Sequence, residues 1–317
     1  MLAERDQLPV TSPVEMKEMK VVVLGAGMIG TTSAFRLKRT FPNLEMTLLA
    51  AEFSPFTTSD ISAGYWEPHL DPDTPPALVT KWAGETYRLL ANLASGRSVE
   101  SLGSVETEMR RTVRRVHGTS VDSQEAETPA WAGEVSQYRT LSKTDIEMLG
   151  PATDPDNHEI YGDSFLSFTW EPSKALPLFY SWLGENGVKM VRKKVKDISE
   201  VEADLIINCT GLGSSWLLGD VGMFPVSGHV CRVKAGWVGD MMADNREDSW
   251  AYVIPNTETV VLGSVDRENN WDTEPREEDR QKIMERCDKL YPGVKVSKAK
   301  FELDCLKCTY VVSNVRL

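Results

Sequence analysis

The segment Lys20-Val21-Val22-Val23-Leu24-Gly25-Ala26-Gly27-Met28-Ile29-Gly30 constrains this chain more than any other. A β-branched run of buried-strand character ends on three glycines spaced G-x-G-x-x-G, and Thr31 to Arg39 behind them reads as a helix that Pro42 ends. Glu45 to Ala50 then reads as a second short apolar strand, with Glu52 just past its end and 22 positions beyond Gly30. This is a βαβ unit with the fingerprint of a dinucleotide site. Gly25 permits the tight turn, Gly27 lets the backbone approach a pyrophosphate, and Gly30 lets the helix pack close. Ala26 and Ile29 belong to the same turn, whose helix offers its N-terminal N–H groups to phosphates, while Glu52 could accept from ribose hydroxyls. The fingerprint alone does not separate NAD from FAD.

The remaining sequence bounds what surrounds this unit. At about 150 residues per domain, 317 residues suggest two domains. A composition of 41% hydrophobic and 26% charged residues excludes disordered and collagen-like chains, and no apolar run approaches the roughly 18 residues of a spanning helix. The formal net charge is -12, and the longest basic run is Arg192-Lys193-Lys194, so neither a nucleic acid nor a membrane is expected as partner. Arg110-Arg111 and Arg114-Arg115 read as one solvated helix face. Five scattered cysteines point to a reducing, intracellular compartment, and Cys305-x-x-Cys308 lacks the second ligand pair of a metal site, so no metal is expected. The first 19 residues lack the apolar core of a signal or anchor and read as a loose tail.

Along the chain, Leu78, Val79, Trp82, Leu89, Leu90 and Leu93 recur at helical spacing, and Leu176, Phe179 and Leu183 mark another helix closed by Gly184 and Gly187. Strands are expected at Val188 to Val191, around Val195, and at Asp204 to Asn208, the last with the look of a strand buried on both faces. Ala251 to Ile254 and Thr259 to Leu262 flank a turn and read as a hairpin, and Glu277 to Leu290 reads as a helix with acids in its first turn. The stretch from Ser95 to Pro155 is weakly patterned and yields no element.

The segment after Glu52 is more specific. Thr57-Thr58-Ser59-Asp60-Ile61-Ser62-Ala63-Gly64, then Tyr65-Trp66-Glu67-Pro68-His69, puts small hydroxyl residues before Ala-Gly, a backbone able to approach a large planar cofactor. It resembles the D-amino-acid oxidase family, where its counterpart lies along the flavin. Asn208-Cys209-Thr210-Gly211-Leu212-Gly213-Ser214, with Phe224-Pro225-Val226, and the hairpin Tyr252-Val253-Ile254-Pro255 to Val260-Val261-Leu262-Gly263 extend the resemblance, nearer to its D-aspartate oxidase branch.

The resemblance implies an α/β fold in which a Rossmann-like FAD-binding domain is interleaved with a mixed-sheet substrate domain. It implies FAD-dependent oxidation by molecular oxygen of an acidic D-amino acid, D-aspartate or D-glutamate, to a 2-oxo acid, ammonia and hydrogen peroxide. The boundaries it suggests are 20–75 with 163–222 for FAD, and 76–162 with 223–317 for substrate. For the flavin it carries over Gly25, Ala26, Gly27, Ile29, Gly30, Glu52, Thr58, Ser59, Ala63, Gly64, Val195 and Thr210. For the substrate it carries over Tyr252 to the α-carboxylate, Arg246 to the side-chain carboxylate, and His69 nearby.

The chain also departs from that pattern. The family's Pro-x-Arg-Gly-Gln is Pro225-Val226-Ser227-Gly228-His229 here, and Tyr310 or Val312 stands where a carboxylate-clamping arginine is expected. Leu317 precedes the family's second glycine-rich segment, which implies a C-terminally truncated form and leaves open a catalytically silent binding protein. Relatives are often peroxisomal; Val315-Arg316-Leu317 is no such tripeptide, so the location expected is cytoplasmic or peroxisomal.

Overall fold

The computed structural model describes residues 19–68, 74–149, 159–294 and 309–310. Its strands in chain order are β1 (Lys20–Leu24), β2 (Glu45–Ala50), β3 (Val113–Asp122), β4 (Ser136–Thr140), β5 (Tyr161–Trp170) and β6 (Lys189–Arg192). They continue as β7 (Leu205–Asn208), β8 (Val226–Val233), β9 (Met241–Asp244), β10 (Ala251–Pro255), β11 (Val260–Glu268) and β12 (Thr309–Tyr310). They form a four-stranded sheet, β6-β2-β1-β7, and an eight-stranded sheet, β12-β8-β11-β10-β9-β3-β5-β4. Two compact units divide the chain: one runs to Ser59 and resumes over Leu176–Val221, the other takes Asp60–Ala175 and Gly222 onward.

The smaller sheet is all parallel, with β1 between β2 and β7 and β6 outside β2. The chain leaves β1 through the helix Met28–Thr40 to β2 on one side and returns as β7 on the other. The order of strands therefore reverses at the carboxyl end of β1, where open parallel sheets bind their ligands. Phe35 of that helix meets Phe179 and Trp182 of the helix Pro172–Glu185 edge-on, at 4.9 and 4.6 Å between ring centroids. The burial of β7 differs from expectation: it is an outer strand, and Leu205 is 40% exposed. Val195 lies in a loop rather than a strand, because one apolar residue among lysines gives no alternation to pair. Asp197 instead starts a 3-10 turn, its carboxylate accepting from Ser199 N at 2.8 Å.

The larger sheet is mixed. β3 runs antiparallel to β5 over ten residue pairs and parallel to β9, while β9 to β10, β10 to β11 and β11 to β8 are antiparallel. The expected hairpin and the helix Glu277–Leu290 are both present. That helix buries Ile283, Met284, Cys287 and Leu290 against Val253, Val260 and Leu262 on one face of the sheet. Val116, Val230, Met241, Ala243, Ile254 and Val261 form a second cluster, against which Tyr65 and Tyr252 pack. The arginine cluster is not a helix face. Arg114 and Arg115 lie in β3, and Arg114 turns inward to donate to the carbonyls of Asn256 and Val238 at 2.8 and 2.9 Å. Residues 60–68, 74–75 and 163–175, grouped with the dinucleotide half by sequence, fall in this unit: Tyr65 bridges Thr169, and β5 is laddered to β3.

Candidate active site

At the end of β1, Gly25 holds φ at +104°, and a Cβ there would lie 2.1 Å from the carbonyl oxygen of Cys209. A Cβ on Gly30 would lie 1.9 Å from the Gly25 carbonyl, so both positions tolerate glycine alone. Gly27 is the N-cap of the helix Met28–Thr40 and supplies no side-chain cap. Ser59 Oγ accepts from Met28 N at 3.0 Å, and a Cβ on Gly27 would close that space. Tyr180 Oη and Thr31 Oγ1 both donate to the Ala26 carbonyl, at 2.5 and 3.1 Å, which pins the turn from two sides. Ile29 is 74% exposed and no acid occupies the first turn, so the N-terminus is open and electrostatically suited to an anion.

Glu52 is exposed beyond β2, with Arg192 at 3.6 Å across the edge of the sheet. Beyond β7, Thr210 N and Oγ1 donate to Asn208 Oδ1 at 3.2 and 2.7 Å, and Asn208 Nδ2 donates to Ser214 Oγ at 2.9 Å. Val195 packs on the cluster of Val22, Leu24 and Leu49. This one unit thus brings Gly25, Ala26, Gly27, Ile29, Gly30 and Ser59 together at the β1–helix turn, and it also contains Thr58, Glu52, Val195 and Thr210. The glycine cradle and the helix N-terminus fit the pyrophosphate of FAD, and Glu52 fits a ribose.

Ala63 and Gly64 belong to the other unit, where two residues that the sequence reading did not single out hold their segment. Arg232 Nη2 donates to the carbonyls of Ile61 and Ser62 at 2.9 and 3.1 Å. Its Nη1 donates to Asn256 Oδ1 at 2.9 Å, and Asn256 Nδ2 donates to the Ala63 carbonyl at 2.8 Å. Gly64 holds φ at +68°, its carbonyl accepts from Trp170 N at 2.9 Å, and a Cβ there would sit 2.0 Å from the Trp170 carbonyl. The only sequence signals for this clamp were an arginine in the otherwise apolar end of β8 and an asparagine opening the hairpin turn.

Tyr252 stands opposite Gly263 in the β10–β11 ladder, and a Cβ on Gly263 would lie 2.2 Å from its ring. Pairing through β9 and β3 puts Tyr252, Ala243, Ser120 and Asp163 in one row across the same face. Arg246 is drawn elsewhere: its Nε and Nη2 donate to the two carboxylate oxygens of Asp244 at 2.9 and 2.7 Å. Asp244 is held below the ordinary carboxylate range by Arg246 and Ser249, although burial opposes this. His229, in place of the family's glutamine, is buried with Nδ1 2.5 Å from Asp279, which also takes Arg267 in a fork. His69, Cys305 and Cys308 lie outside the described residues.

Among the described residues no helix is long and apolar enough to cross a membrane, and no three His, Cys, Asp or Glu side chains group as for a metal. The family profile for FAD dependent oxidoreductase (DAO) matches residues 20–309. The chain is 28% identical over 283 residues to D-aspartate oxidase of Homo sapiens, covering 88% of this chain and 78% of that one. It is 29% identical over 282 residues to D-amino acid oxidase of Dugesia ryukyuensis, covering 87% and 79%. Among solved structures, glycine oxidase from Geobacillus kaustophilus matches with a TM-score of 0.70 at 13% identity, covering 93% of this chain and 84% of that one. From the glycine cradle at the end of β1 to the mixed sheet that carries Tyr252, the chain belongs to the DAO family of FAD-dependent oxidoreductases.

Proposed function

We propose that the chain oxidises an acidic D-amino acid, D-aspartate or D-glutamate, with molecular oxygen and water giving the 2-oxo acid, ammonia and hydrogen peroxide. The unit of the parallel sheet is read as the FAD-binding domain and that of the eight-stranded sheet as the substrate domain. The chemistry that FAD would supply there is acceptance of two electrons from the substrate, with oxygen as the final oxidant. The chain's residues position the reactants. Ala26 to Gly30 hold the pyrophosphate, the Arg232–Asn256 clamp sets the carbonyls of Ile61 to Ala63, and the Tyr252 hydroxyl binds the α-carboxylate.

The observation that carries this reading is the seat of Tyr252, whose ring lies against a glycine that leaves it room on the face of a sheet. The similarity to D-aspartate oxidases supports the acidic side chain. Arg246 favours a second reading. Asp244 already takes its Nε and Nη2, so a substrate carboxylate must compete with a buried partner, and a neutral D-amino acid has no such need. Five cysteines scattered through the sequence support a reducing, intracellular location, cytoplasmic or peroxisomal.

Peroxide release from D-aspartate, D-glutamate, D-alanine and L-aspartate tests the proposal. The acidic reading requires the two acidic D-isomers to exceed D-alanine, and Arg246→Met to abolish that preference. A preference for D-alanine that Arg246→Met leaves intact supports the second reading. Silence toward all four, with flavin bound, supports a non-catalytic binding role.

A further inference from the structure

The loop 245–250 leads from β9 into β10 and so into Tyr252. Its first half is folded onto itself. Arg246 N donates to Asp244 Oδ1 and Ser249 N to the Arg246 carbonyl, both at 3.1 Å, while Asn245 N donates to the Val121 carbonyl at 2.9 Å. The β9–β10 ladder starts at the pair Asp244–Ala251, so the carbonyls of Asp248 and Trp250 fall outside it.

The helix Glu277–Leu290 meets those carbonyls. Arg286 Nη2 donates to the Asp248 carbonyl at 2.9 Å and Nη1 to the Trp250 carbonyl at 3.1 Å. The next residue, Cys287, donates through Sγ to the carbonyls of Tyr252 and of its ladder partner Gly263, each at 3.4 Å. Two consecutive helix residues therefore take every second carbonyl from Asp248 to Tyr252. Burial pushes the Cys287 thiol up to about 12, so it keeps its proton and donates at neutral pH.

This grip comes from behind the phenol. Ala251 and Val253, on either side of Tyr252 in β10, are buried in one cluster with Cys287, so the alternation of a strand turns Tyr252 to the other face. There it packs against the cluster that holds Ala63 and Val261. The helix is itself fixed: Asp279, about two turns before Arg286, takes Arg267 in a fork and lies 2.5 Å from His229. Arg286 is half-buried, and among the described residues both groups it meets are carbonyls of one loop. A guanidinium is planar, always charged and donates in fixed directions, so two such bonds set the shape of the backbone they join.

We propose that Arg286 is a positioning residue for substrate binding: it fixes the run 248–252 and thereby the place from which Tyr252 meets the α-carboxylate. The proposal rests on the reading of Tyr252 as the partner of that carboxylate. Arg286 acts through the backbone, so its loss weakens binding and leaves the chemical step.

The test pairs steady-state kinetics of the full chain carrying FAD, on the better of D-aspartate and D-alanine, with fluorine NMR of the chain labelled with 3-fluorotyrosine. Tyr252→Phe assigns the Tyr252 resonance. Arg286→Met should raise KM about tenfold with kcat kept within about twofold. Arg286→Lys keeps the charge and a donor, and should raise KM only about threefold. In a Tyr252→Phe chain, Arg286→Met should raise KM by less than about twofold, because the residue it works through is already disabled. Without substrate, the Tyr252 resonance should move in Arg286→Met and return toward its place in Arg286→Lys. A lowered melting temperature with KM unchanged, a full additional loss in Tyr252→Phe, or an unmoved Tyr252 resonance would overturn the proposal. Absence of peroxide from both amino acids overturns the oxidase reading instead, and the fluorine resonance then decides alone whether Arg286 places Tyr252.

Discussion

Gly25 and Gly187 both hold positive φ, at +104° and +81°, but their surroundings differ. A Cβ on Gly25 would meet the backbone carbonyl of Cys209 at 2.1 Å, whereas one on Gly187 would meet nothing within 4 Å. Gly187→Ala should therefore cost only the left-handed strain, about 1 kcal/mol, while Gly25→Ala adds overpacking and should cost roughly 3 kcal/mol or more, read from urea midpoints. The glycines were legible in sequence because their role depends on an absent side chain. The environment of Glu67 was not, because its charged neighbour Asp163 comes from β5, nearly a hundred positions away. A carboxyl raised above its unfolded value binds more protons when folded, so its contribution is lost as pH rises from about 4.5 to about 7. Glu67→Gln should remove that decline and raise stability above pH 7 by about 2 kcal/mol, measured by denaturation at pH 5 and pH 8.

At the scale of elements, the β1–helix–β2 unit, the hairpin and the helix Glu277–Leu290 all follow from local periodicity, and all are present. β3 was illegible: VRRVHGTSVD mixes arginines with apolar residues, and Arg114 is satisfied by the carbonyls of Asn256 and Val238, which lie in loops more than a hundred positions away. The clamp on Ile61 to Ala63 likewise joins β8, the hairpin turn and a loop far apart in sequence. Arg232→Met strips three carbonyl contacts and should cost about 2 kcal/mol of stability and weaken FAD binding at least about tenfold, by fluorescence titration, with the helical content kept. The helix Glu277–Leu290 is tied to β8 and β11 through Asp279, which Arg267 first, and then His229, hold below the usual carboxylate range. That contribution is present above the unfolded value near 3.8 and is lost as pH falls through the lowered one. Asp279→Asn should cost about 3 kcal/mol at pH 7 and less at pH 3, by denaturant midpoints.

At the scale of the molecule, the family could be read from three distant motifs, because each answers a cofactor or a turn that only certain residues satisfy. The partners of the site residues could not: Arg246 forks onto Asp244, and a sequence does not state which carboxylate a guanidinium takes. A glycine cradle that fits the pyrophosphate of FAD, in one unit, and a sheet face that carries Tyr252, in the other, are the two features on which the proposed function rests. Their most direct test is the visible spectrum of the chain loaded with FAD and then mixed with D-aspartate in the absence of oxygen. Retention of the flavin band, followed by bleaching with D-aspartate and no change with L-aspartate, is the predicted result. A flavin that binds and keeps its band through saturating D-aspartate and D-alanine alike would contradict the account.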